Sequence, residues 1–362
     1  MQNLTDQSCM TIALIFVIAL AVACGYPSGG TSKVTEVAPQ PRIERVFEKT
    51  KTICIGRFLI DIPLDSQVVY GPADIPFSLD IYKGKGAEMD AVIRDRLVEI
   101  DEERKYAEGR LLNKEAIIGM VIDGEMPGQK IVFGVSQRSG VFYRVQSFLR
   151  LGDDIFVQEL NAIGKKEAYE KDIGRLNSMA LLLRPRDELE IPKDSGVCVE
   201  NGFVSAPPKG TREYVTLGVR LSQFPDVHFS LATTSTKNKD PSDALEPRMK
   251  EAEKNARILG LSDWYSRIKI LRRGPREIAG WKGFEVLARL PPQKTEGQSH
   301  ELRYLSQGEP KNPLLPMLEF ELRTGVRGND VGGAAPSLRD EEAVALWDKL
   351  TGSIRLRPFT EQ

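Results

Sequence analysis

The chain has 362 residues, 41% hydrophobic and 28% charged, which supplies ordinary cores and suggests about two domains. Its 50 Lys and Arg stand against 51 Asp and Glu, so no net field of either sign attracts nucleic acid. Two histidines, four cysteines and no C-x-x-C pair leave little material for metal or dithiol redox sites.

From Met10 to Ala23 the chain is uncharged and almost wholly apolar for 14 residues. A bilayer-crossing helix needs roughly 20, so residues 1–23 read as a signal peptide. Ala21-Val22-Ala23-Cys24-Gly25 is similar to a bacterial lipoprotein box, in which Cys24 is acylated and becomes the first mature residue. Leu20 sits one place early for that box, and the segment before Met10 holds no Lys or Arg. Ordinary A-x-A cleavage after Ala23 and an uncleaved anchor are the rival readings. Residues 24–44 read as a flexible tether: Gly25–Pro41 is rich in Gly, Pro, Ser and Thr and spans roughly 20–25 Å as a coil. Gly25, by resemblance to other lipoproteins, implies sorting to the outer membrane.

The rest of the chain reads as two similar halves, 45–188 and 192–360. "CIGRFLIDIP" (Cys54–Pro63) has an echo in "CVENGFVSAP" (Cys198–Pro207), and "SMALLLRP" (Ser178–Pro185) in "GSIRLRP" (Gly352–Pro358). In the first half, Met89, Ile93, Leu97 and Ile100 share one face of a helix over Gly86–Ala107. Strands at Gln129–Gln137, Val141–Leu149 and Asp154–Ala162 and a helix over Lys166–Leu176 follow. In the second, Met249, Ala252, Ala256 and Leu259 share a helix face starting near Pro247. Strands at Gly283–Leu290, His300–Ser306 and Leu318–Thr324 and a helix over Pro336–Leu350 follow. The expected class is α+β, two similar domains, each an antiparallel sheet with helices on one face. The charged, proline-bearing segment Arg184–Asp194 is the expected linker.

Cleavage would remove Cys9 and acylation would consume Cys24, leaving Cys54 and Cys198. They form either a bridge, which a pseudo-twofold arrangement of the halves favours, or two small buried thiols.

Catalytic signatures are scarce. "HELRY" at His300 lacks the second His of a zinc-protease helix, "GVSQR" at Gly134 fails as a nucleophile elbow, and no phosphate-cradling glycine loop occurs. Asp153-Asp154 reads as a turn between strands. No catalytic, metal or cofactor site is expected. The loops Ser306–Pro316 and Thr324–Pro336 are candidate partner contacts, while Trp264, Tyr265 and Trp281 read as core.

"CIGRFLIDIP", "GVCVENGFV" and "LGVRLSQFPDVHFSL" (Leu217–Leu231) together resemble the type VI secretion immunity proteins that neutralise family 4 phospholipase effectors. The resemblance spans about residues 45–360. It implies a periplasmic protein, commonly a lipoprotein, that binds a secreted phospholipase and blocks it without chemistry of its own. A structural or assembly lipoprotein of the envelope is the alternative. The resemblance names no effector-binding residues; Arg57 and Asp61 within the motif are read as either an exposed pair or an interface.

Overall fold

The computed structural model describes residues 38–107, 117–136, 142–163, 165–292, 297–328 and 330–360. The expected signal peptide, Cys24 and most of the expected tether lie outside them. Helix α1 (Pro41–Val46) already begins inside the expected tether, with Pro41 at its first turn and Ile43 fully buried. It leads to β1 (Thr50–Ile55), β2 (Phe58–Pro63), β3 (Gln67–Asp74), β4 (Ser78–Tyr82) and α2 (Met89–Ala107). Next come β5 (Val121–Asp123), β6 (Lys130–Val135), β7 (Phe142–Leu151), β8 (Asp154–Ile163), α3 (Lys166–Ala180) and β9 (Leu183–Pro185). The second half runs β10 (Gly196–Val199), β11 (Gly202–Ser205), β12 (Tyr214–Leu221), β13 (Phe224–Thr234), α4 (Leu245–Ile258) and α5 (Ser262–Ser266). It closes with β14 (Lys269–Ile278), β15 (Trp281–Leu290), β16 (Ser299–Ser306), β17 (Met317–Arg323), β18 (Val326–Arg327), β19 (Asp330–Val331), α6 (Asp340–Gly352) and β20 (Arg355–Leu356).

The chain folds into two compact units that are not the two halves of the sequence. The first takes the residues up to Ile53, Phe58–Val69 and Thr216–Leu356; the second takes Cys54–Arg57, Tyr70–Val215 and Arg357 onward. Strand order in the first is β14-β15-β16-β17-β13-β12, and in the second β5-β6-β7-β8-β4-β3. These orders are identical once corresponding strands of the two halves are matched, so the faint sequence repeat is a true repeat of topology.

The small sheets show how the halves interleave. In the first unit β2 pairs with β20, Phe58 opposite Leu356 and Leu59 opposite Arg355. In the second unit β11 pairs with β9, Phe203 opposite Arg184. The hairpin that opens each half therefore lies with the strand that closes the other. Arg184–Asp194 is not a slack linker: Leu183–Pro185 is β9, and the buried Arg186 guanidinium donates to the carbonyls of Val199 (3.0 Å), Gly202 (3.2 Å), Asp187 (2.9 Å) and Glu190 (3.0 Å).

The antiparallel α+β character stands, with one difference from expectation: each sheet carries helices on both faces. In the second unit Gly134 faces Ile100 of α2, where an added Cβ would stand 3.3 Å from its side chain. Its neighbour Phe133 points the other way and meets Tyr169 of α3 edge-on at 5.7 Å. In the first unit Val286, Ala288 and Leu290 pack with Leu245, Met249 and Ala256 of α4. On the opposite face Phe320 meets Trp347 of α6 edge-on at 6.3 Å. Alternation along single strands supplies both faces, so spacing alone does not reveal that two helices share one sheet. Helix α6 starts at Asp340, not Pro336, because the Glu342 carboxylate accepts the Arg339 N–H at 3.0 Å. Two arginines clamp it to the sheet: Arg272 bonds Glu285 (2.6 Å) and Asp348 (2.9 Å), and Arg276 bonds Glu285 (2.8 Å) and pairs with Asp348 (3.2 Å).

Candidate binding surface

The hydroxyl and imidazole at Thr324 and His300 are sealed. His300 opens β16, its Nδ1 2.8 Å from Thr324 Oγ1 and its Nε2 3.0 Å from Asp340 Oδ1. A hydroxyl, an imidazole and a carboxylate in line invite comparison with a nucleophilic triad. Thr324, however, is 0% exposed and its oxygen also accepts the His300 backbone N–H at 2.9 Å. No substrate reaches that hydroxyl. Burial pushes the His300 imidazole below its usual value. For Asp340, burial acts upward, but Lys269 at 2.7 Å, His300 and Arg289 hold the carboxyl below its ordinary range. The constellation ties α6 to the sheet. Asp153 and Asp154 close the β7–β8 hairpin, where Asp154 accepts from the Gly84 N–H (2.8 Å) and Asn201 (2.8 Å). Among the described residues no group of three His, Cys, Asp or Glu side chains is arranged to hold a metal ion.

The quoted motif is structural. Arg57 makes a two-pronged bond to Glu213 at 2.8 and 2.6 Å in the second unit. Asp61 accepts from both Arg355 nitrogens at 2.8 and 3.0 Å and from Thr52 at 2.6 Å in the first. Phe58 packs edge-on against Trp281 at 4.9 Å, and Ile60 and Ile62 are fully buried. Cys54 and Cys198, both fully buried, are joined by a disulfide in the second unit, Cα–Cα 5.8 Å, and Gly56 and Cys198 exchange two backbone hydrogen bonds beside it.

The two long loops are fastened down. In Ser306–Pro316 the Glu309 N–H donates to Leu315 O at 2.7 Å, and the Trp281 indole donates to Pro316 O at 2.8 Å. In Thr324–Pro336 the Gly325 N–H donates to Asp226 at 2.9 Å. They are braced surface.

Exposed apolar side chains gather at the end of α4. The helix buries Leu245, Met249, Ala252 and Ala256 along one stripe, then stops because Gly260 adopts φ +72°. The Leu261 N–H donates to Ala256 O (2.9 Å) and the Gly260 N–H to Arg257 O (3.2 Å), the paired bonds of a glycine-stopped helix end. This rigid turn projects Ile258, Leu259 and Leu261 outward, 71%, 61% and 41% exposed. Leu259, expected on the buried stripe, is thus turned to the surface. Tyr265 of α5 is buried beneath and Trp264 partly so, both packed on the α4 core. Around the knob, charges of both signs alternate: Glu253 pairs with Arg257 and Glu251 with Lys254 (3.8 Å). An apolar centre with a balanced polar rim is the anatomy of a protein contact.

The repeated α/β scaffold thus seals the His300 constellation and displays a braced apolar knob. Residues 190–359, just under half of the chain, match the family model of the Tle cognate immunity protein 4 C-terminal domain. Solved structures share its fold. A chain in the crystal structure of a Tle4–Tli4 complex is 20% identical, with TM-score 0.67, covering 86% of this chain and 98% of that one. The apo immunity protein TplEi of the type VI system of Pseudomonas aeruginosa is 20% identical, with TM-score 0.64 over 86% and 98%. The same protein complexed with an "L" peptide gives 19% and 0.62, over 86% and 99%. Comparison with curated protein sequences finds no match.

Proposed function

We propose that this chain is a non-enzymatic immunity protein that binds a type VI phospholipase effector in the periplasm and blocks it, protecting the producing cell. The observation that carries this reading is the immunity-domain match over residues 190–359, beside which the exposed apolar knob offers a contact. A buried Cys54–Cys198 disulfide suits an oxidising compartment. The Ile258–Leu261 knob is a contact of the grip, an apolar projection suited to an enzyme whose own substrate is apolar.

The test follows fatty-acid release by the phospholipase encoded beside this gene while the exported chain is titrated in. Stoichiometric loss of activity is expected; no inhibition and no binding at micromolar concentration sinks the reading. In the same assay Ile258→Asp combined with Leu259→Asp should raise the half-inhibitory concentration at least about a hundredfold, since each buried anchor contributes about 1.5–3 kcal/mol. The thermal midpoint should not move, because both side chains are exposed in the free protein. Inhibition equal to wild type would remove the knob from the interface.

Residues 1–23 act as the export signal, and Cys24 carries a lipid that holds the protein at the outer membrane on its tether. Cys24→Ser should move the protein from the membrane fraction to the soluble periplasmic fraction. Retention on the membrane without Cys24 would mean an uncleaved anchor.

A further inference from the structure

The sheet of the first unit has a second surface feature, beyond the reach of α4. The core beneath α4 involves β15, β16 and Met317 of β17. On the same face β12, β13 and β17 enclose an open recess of about 340 Å³, with Val69, Val219 and Phe229 among its lining.

Gly218 makes room for it. Its backbone lies outside the left-handed region, and an added Cβ would meet only ordinary contacts, 3.4 Å from Val69 O, 3.7 Å from Val69 Cβ and 3.9 Å from Phe229 O. Neither conformation nor crowding demands glycine here, and glycine weakens a strand interior. What its absent side chain provides is space for something to approach.

The walls of that space are cationic. The side chain of Arg220, exposed at the end of β12, makes no hydrogen bond or ion pair among the described residues. Arg323 stands directly opposite His228 across β13 and β17. Glu321 is the only carboxylate in the lining, and it is shared between Arg323 and Arg303, the latter at 3.2 Å. Three groups face His228: Asp226 from its own strand, Arg220 from β12 and Arg323 from β17. Burial, then the two arginines, keep its imidazole below the usual value, with Asp226 opposing them. Ser230, opposite Glu321, adds a hydroxyl.

We infer that this recess is a subsite for an acidic side chain of the bound effector, its carboxylate seated between Arg220, His228 and Arg323 and its aliphatic stem lying over Gly218. The occupant rests on the immunity reading; the carboxylate chemistry of the recess does not. An anion placed there pairs the unpartnered Arg220, supplies the charge that Glu321 divides between two guanidiniums, and favours protonation of His228.

Two arms keep these apart. The chain has only two histidines, and His300 is sealed, so the ring signals of the full exported chain can be followed by NMR across pH. Glutarate, exchanged for chloride at constant ionic strength, should raise the His228 midpoint by about one unit and leave His300 in place. Gly218→Leu should abolish the rise. An unmoved His228 overturns the subsite, and an equal rise with inorganic phosphate overturns its assignment to carboxylate. In the second arm, Arg220→Glu should raise the half-inhibitory concentration against the effector at least tenfold, with Arg220→Lys restoring most of it. If Arg220→Glu inhibits like wild type, the effector does not occupy the recess while the immunity reading stands. If the wild-type chain itself fails to inhibit, the immunity reading and the effector as occupant fall together, and the glutarate arm still decides the carboxylate site.

Discussion

Residues 190–360 expressed alone should not fold, although they contain the whole matched immunity domain. The first unit needs Ile43, Ile53, Phe58, Leu59, Ile60 and Ile62, all 4% exposed or less and all absent from such a fragment. At about 1.5–3 kcal/mol per buried apolar side chain their loss removes roughly 9–18 kcal/mol, as much as the entire net stability of an ordinary domain, about 5–15 kcal/mol. Strand β20 would lose its partner β2, and Trp281 the ring of Phe58. At the other end the fragment carries β10 and β11 without β9. Near-UV circular dichroism and urea titration are the measurements: no cooperative transition is expected from 190–360, and a peptide of residues 38–69 should restore one in part. A cooperative, native-like transition from the fragment by itself would show that the exchanged hairpins are dispensable.

Replacing Cys54 and Cys198 together by Ala should lower the unfolding free energy by about 3–5 kcal/mol. The bridge spans a sequence separation of 144 residues, for which loop-closure entropy allows at most about 5 kcal/mol. The native state itself should change little, because the Gly56 and Cys198 backbones remain paired at 2.9 and 2.7 Å. Denaturant midpoints of the wild-type protein with and without reductant test the same quantity without mutation. Coincident midpoints would mean that the crosslink does not constrain the unfolded chain.

Local pattern carried much of this fold into the sequence. The alternation of Leu318, Phe320 and Leu322 announced β17, and the echo of Cys54–Pro63 in Cys198–Pro207 announced the repeat. What local pattern does not encode is the choice of partner. Strands β9 and β20 are both short, arginine-bearing and placed after a helix, so either hairpin suits either one, and packing around Trp281 and Phe203 decides. Leu259 fell on the wrong side for a related reason: helical spacing extrapolates through it, whereas Gly260 ends the helix one residue earlier. An apolar pair immediately before glycine was the available signal. The cationic recess had none, because Arg220, His228 and Arg323 come from three strands and read separately as solvated charge. His300 was legible as a strand opener, but its burial with Thr324 and Asp340 was not.

The interleaved hairpins also set a clock on synthesis. Asp61 meets Arg355 across a separation of 294 residues, roughly 15–60 s of translation at about 5–20 residues per second. The second unit waits for the same late segment, since Arg357 supplies bonds to the carbonyls of Asp194 (2.8 Å) and Gly196 (2.9 Å). Neither unit can close on a ribosome that still holds the C-terminus. Each unit therefore completes its core only after β20 and Arg357 have been made, so the interleaved hairpins delay folding until late in synthesis.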